Sequence, residues 1–209
     1  MDNRKKSMIW LVIFIFIFII TCIITTYAYL NVRDVRYGSF NIEVTSKGVD
    51  ILKFNSSGNA DVTATKYNFA PETGKNLSAS AEIDVSLNTT NPSATYCYEV
   101  IAQLPDEPVF TYSITQEPEL VLTISKSSNQ VDYIPIIDNL DITTKTGIIK
   151  VPTTIDGNEY INTIFANKNE LVHNYWKATV TLLWFKDINQ EINNNKNYSL
   201  KLKANRVEC

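Results

Sequence analysis

Apolar and polar positions follow two different rhythms along this chain. From Met8 to Leu30 no residue carries a charge, and a helix built from that stretch would be apolar on every face. Beyond it the period is two. "SFNIEVT" alternates Phe40, Ile42 and Val44 with Asn41 and Glu43, and "VDILKF" follows the "SKG" turn. "LSASAEIDVSLN" puts Ala79, Ala81, Ile83, Val85 and Leu87 on one face and Ser80, Glu82, Asp84 and Ser86 on the other. Further strands are predicted at "TYCYEVIAQL", "PVFTYSIT", "ELVLTIS", "VDYIPII", "GIIKVP", "KATVTLLWF" and "NYSLKLKAN", separated by Asn, Gly, Pro and Ser. One segment departs from this rhythm. "GNEYINTIFANKNELVHNYW" sets Tyr160, Ile161, Ile164, Phe165, Leu171 and Val172 at helical spacing, which predicts a short amphipathic helix or crossover before a strand starting near Trp176.

These elements predict an all-β fold, an antiparallel jelly-roll-like or immunoglobulin-like sandwich, preceded by one N-terminal hydrophobic helix. The organisation is two-part: residues 1–30 as a signal peptide or single-pass membrane anchor, and residues 31–209 as one extracellular domain. The 23 positions from Met8 to Leu30 would reach roughly 35 Å as a helix, enough to cross a bilayer core. Their most apolar part, Met8 to Ile20, has the length of a signal-peptide core, so cleavage and permanent anchoring both remain open. Arg4, Lys5 and Lys6 orient the segment, with the N-terminus in the cytoplasm and everything after Leu30 outside.

Charge narrows the partners. The net charge is −3; without residues 1–30, which hold Arg4, Lys5, Lys6 and Asp2, 16 basic residues face 21 acidic ones, or −5. A mildly acidic body lacks the basic face that nucleic acid requires. The expected partners are the membrane, through residues 8–30, and other copies of the chain or other surface proteins. Cys22 lies within the apolar run, after Thr21 and before more apolar chain, which does not fit a lipid-attachment cysteine. Cys97 and Cys209 lie outside it, and an oxidising compartment would allow one disulfide between them. A buried thiol at Cys97 with an unpaired Cys209 is equally compatible with the spacing.

Candidate chemistry is sparse, and neither a cofactor nor an enzymatic activity is expected. His173 is the one histidine; "ELVHN" offers Glu170 beside it but no second ligand at the spacing of a zinc protease. No GxSxG elbow and no phosphate-cradling glycine loop occurs. Asp156 and Glu159 in "TIDGNEY" lack the ordered spacing of a calcium loop and read as an Asp-Gly turn. Asp141 in "LDITTK" reads as a turn, "NNNKN" around Asn193 as a polar turn, and Asn76 and Asn88 begin sequons of consequence only in a eukaryotic secretory route.

"TTYAYL", then "YGSFNIEV", then "LSASAEIDVSLNTTNPSATYCYEV" resembles the TasA/camelysin group of exported bacterial proteins, and "WKATVTLLWF…NNNKNYSLKLKAN" is similar to that group's closing strand pair. The resemblance implies a jelly-roll-like sandwich and a signal peptide ending in Thr26, Tyr27 and Ala28, with Tyr29 the first mature residue. It further implies a structural protein of the cell surface or biofilm matrix that assembles by donating an N-terminal strand, here Tyr29 to Phe40. The alternative expectation is a membrane-anchored adhesion module.

Overall fold

A computed structural model describes residues 40–45, 48–113 and 116–209 of the chain. The membrane or signal segment 8–30, the candidate cleavage residues Thr26, Ala28 and Tyr29, and residues 31–39 lie outside the described part. Among the described residues no helix is long and apolar enough to cross a membrane.

Eleven strands are described: β1 (Phe40–Thr45), β2 (Val49–Ser56), β3 (Asn59–Thr63), β4 (Leu77–Thr89), β5 (Ser93–Gln103), β6 (Leu120–Ser127), β7 (Ile134–Asp141), β8 (Ile148–Lys150), β9 (Ile161–Asn167), β10 (Leu171–Leu182) and β11 (Asn197–Val207). Every pairing is antiparallel. One sheet has six strands in the order β1-β2-β4-β10-β6-β7; the other runs β3-β11-β5-β8, with β9 also paired to β5. Together they form a β-sandwich, as the alternation predicts. The chain passes between sheets after β2 at a turn where Gly58 has φ +114°, a conformation strained for any side chain.

The period of two places the core. On β4, Ala81, Ile83, Val85 and Leu87 are buried while Ser80, Glu82 and Asp84 turn outward. β10, beside it, contributes Trp176, Ala178, Val180 and Leu182. From the other sheet Tyr98, Val100 and Ala102 of β5 meet Tyr198, Leu200 and Leu202 of β11. Side chains on the two inner faces fill the space between sheets, the usual solution for half-apolar strands. The compact unit formed is Phe40–Cys209.

Two expectations are corrected. Residues 157–176 form no helix: β9 and the first half of β10 occupy them. On β9 the inward positions are Asn162, Ile164 and Ala166, and the outward ones are Ile161, Thr163 and Phe165. An inward asparagine and outward Ile and Phe inverted the polarity that normally marks a strand, so the apolar residues fell into helical spacing. "PVFTYSIT" is likewise no strand over residues 108–113. Phe110 is buried, but the Thr111 backbone bonds the Asn193 side chain and the Ser113 N–H donates to Glu119, so side chains replace a ladder partner.

Candidate functional site

A β-sandwich can recruit another chain through its surfaces and sheet edges, so the edges come first. β7 borders the six-stranded sheet and is poorly suited to extension. It carries Pro135, which cannot donate; its pairing with β6 shifts register twice; and Asn139 sits at φ 48° between Asp138 and Asp141. β3 is short and carries Asp61.

β9, "INTIFAN", lacks a proline, a charge and a register shift of its own, and it pairs with β5 from Ser93↔Asn167 to Glu99↔Ile161. The Asn167 N–H reaches the Glu170 carboxylate at 2.9 Å, and the Thr163 carbonyl accepts the Asn174 amide at 3.5 Å, so both residues turn their backbones away from β5. By strand alternation Ile161 and Phe165 do the same. Their side chains stand outward, 52% and 50% exposed. An edge of regular geometry, uncharged and lined by Ile and Phe, offers backbone pairing and side-chain contact to an incoming strand.

The outer face of the six-stranded sheet carries a second cluster. His173 Nδ1 lies 2.8 Å from Asp84, and the imidazole stacks on Tyr175 with centroids 5.3 Å apart. Lys177 pairs with Glu82 at 3.1 Å and its Nζ lies 5.6 Å from the centre of the Tyr133 ring. Burial and the carboxylates Glu82 and Asp84 push the Tyr133 hydroxyl's pKa up, so it stays neutral and can donate a hydrogen bond. His173 is therefore a packed, part-buried residue of this outer face, held between Asp84 and Tyr175.

Polar staples hold both ends of the sandwich. Asp50 accepts from the Thr89 hydroxyl, the Asn91 amide at 2.8 Å and the Tyr96 hydroxyl at 3.0 Å; the Thr89 bond chiefly holds its carboxyl below the usual aspartate range. At the opposite end Glu119, fully buried, accepts from the Ser113 N–H at 2.9 Å and from the Gln190 amide. Asn193 is equally buried: it lies in the short turn that its neighbourhood suggested and clasps Thr111 through both ends of its amide. Asp141 accepts from Thr143 and Tyr112, and Asn76 accepts the Trp184 N–H at 2.8 Å. Asp156 sits in a turn at φ 58°. Among the described residues no group of three His, Cys, Asp or Glu side chains is placed to hold a metal.

Cys97 and Cys209 are joined in a disulfide, with Cα atoms 5.2 Å apart. Cys97 faces outward from β5 yet is buried, and Val207 pairs with it across the ladder. The bond thus ties the chain after β11 onto the outer face of its own sheet. Sequence reasoning did not find Glu119, Asn193 or the β9 edge, because each depends on which loops and sheets meet in space.

No family model matches the sequence, and no curated protein matches it. Solved structures similar to it include the C-terminal domain of a chitobiase from Bacteroides fragilis (12% identity, 74% of this chain and 95% of that one, TM-score 0.24). Another is a carbohydrate-binding module from Cellvibrio mixtus lichenase 5A in complex with cellotriose (14% identity, 74% and 91%, TM-score 0.20). A third is the infectious bursal disease virus Gx strain (10% identity, 80% of this chain and 30% of that one, TM-score 0.25). Likenesses this low say nothing of what this chain binds.

Proposed function

We propose that this chain is an exported, non-enzymatic structural protein of the cell surface or extracellular matrix, assembling by strand addition in the manner of the TasA/camelysin group. The donor is Tyr29 to Phe40, which runs into the first residue of β1, and the acceptor is the outer edge of β9 in another copy. The uncharged β9 strand, with Ile161 and Phe165 standing outward, carries this reading. The donor places Leu30 and Val32 two apart, and its Arg33 and Arg36 suit an acidic body. The alternative is a tethered adhesion module, and the Tyr133, His173, Tyr175 and Lys177 cluster would be its contact face.

The test combines N-terminal sequencing of the native protein with two variants. Under the assembly reading the native chain begins at Tyr29 and sediments as fibres. Thr163→Pro, which removes an outward N–H, and Phe165→Lys leave a folded monomer that does not assemble. A full-length protein confined to the membrane fraction, or fibres from both variants, would overturn strand addition at β9.

A further inference from the structure

The outward and inward faces of β9 differ in a way the fold does not require. Asn162 points between the sheets and is 2% exposed, an uncommon place for an asparagine. Its Oδ1 accepts from Lys126 Nζ at 3.2 Å, while its Nδ2 is buried without a hydrogen-bond partner. Lys126 lies on β6 in the opposite sheet, cross-strand from Trp176, and its Nζ sits 5.0 Å from the centre of the indole. Tyr98, fully buried, is the cross-strand neighbour of Asn162. Its hydroxyl is occupied by the Asn174 amide and the Trp176 Nε1–H.

A half-buried lysine and a buried asparagine thus meet head to head beside Trp176 and Tyr98, and the Asn162 amide nitrogen is buried without a partner. We propose that Lys126 and Asn162 form an intramolecular isopeptide bond joining the two sheets. The neutral Nζ attacks the Asn162 side-chain carbonyl carbon. The new C–N bond forms with the nitrogen lone pair, the bond to Nδ2 breaks, and Nδ2 leaves as ammonia with a proton given up by Nζ. The balance is amine plus primary amide giving secondary amide plus ammonia, with no oxidant, metal or co-reactant.

Two features favour the step. Burial lowers the Lys126 pKa, raising the share of neutral amine able to attack. Holding the groups at contact distance replaces a bimolecular encounter by an intramolecular one. Among the described residues no carboxylate is bonded to either group, so the reaction relies on proximity and the partial burial of the amine and accumulates with time. The product would also remove the unpartnered amide nitrogen.

The experiment is intact mass and peptide mapping of the purified native protein after disulfide reduction, fresh and after prolonged incubation at mildly alkaline pH. The expected result is a chain lighter by one ammonia, with a branched tryptic peptide joining residues 126 and 162 and no cleavage after Lys126. Lys126→Arg and Asn162→Ala should each restore the full mass. Should either variant misfold, the branched peptide of the native protein still decides. A full-mass chain after incubation, or ammonia loss without the branched peptide, would overturn the bond.

Discussion

Removing the Cys97–Cys209 disulfide should be the most costly change that leaves the native contacts of the sandwich in place. The bond closes a loop with a sequence separation of 112 residues. In the chain-entropy view, a loop of that size restricts the unfolded ensemble by about 5 kcal/mol at room temperature. On the folded side little is lost, because β11 keeps its ladder with β5 from Lys201↔Gln103 to Val207↔Cys97. Cys97→Ala/Cys209→Ala, or simple reduction, should therefore lower the melting temperature by roughly 10–20 °C for a domain of this size. The denaturant dependence should steepen, because the released chain exposes more surface on unfolding. Urea unfolding followed by fluorescence, with Trp176 buried between the sheets as reporter, measures both. A loss below about 1 kcal/mol would refute the entropic account. Two free thiols in the oxidised protein would refute the pairing itself.

Other perturbations separate the remaining features. Glu119→Ala removes the acceptor for the Ser113 N–H and the Gln190 amide, and should cost about 3 kcal/mol by urea unfolding, with Glu119→Gln milder. Tyr98 has its hydroxyl pushed up to about 12 by burial, and burial raises Tyr198 as well. A raised folded-state value means this stability is complete below the ordinary tyrosine value near 10 and is lost as pH rises through the folded one. Alkaline titration followed in the ultraviolet should show two tyrosines ionising only with unfolding, and Tyr98→Phe should remove one of them.

Much of the architecture was legible from alternation alone. β4 could be read almost residue by residue because Ala81, Ile83, Val85 and Leu87 face the core while Ser80, Glu82 and Asp84 turn to the other face; Ser86, on that polar face, is covered and buried. β2, β5, β6, β8 and β11 were recognisable for the same reason, with ends displaced by a few residues. β10 starts at Leu171, earlier than expected, because its third and fourth residues, His173 and Asn174, carry polar side chains into contacts specific to this fold. β3 was missed because only Ala60 and Val62 of its five residues are apolar and buried. β9 was misread for the opposite reason: its apolar residues face out. The features that matter most for the site, an inward Asn162 and an outward Phe165, are local violations of the pattern used to find strands.

The strand order fixes when the molecule can become itself. β10 lies between β4 and β6, and β11 between β3 and β5, yet both are synthesised after the strands they separate. Up to Asn167 the chain can make only partial ribbons: β1-β2-β4, β6-β7, and β5 with β8 and β9. The two final strands are the keystones that merge these ribbons. A nascent polypeptide of this design stays threadable until β10 and β11 emerge, then closes through contacts distant in sequence, a slow route that leaves apolar faces open to misassociation meanwhile.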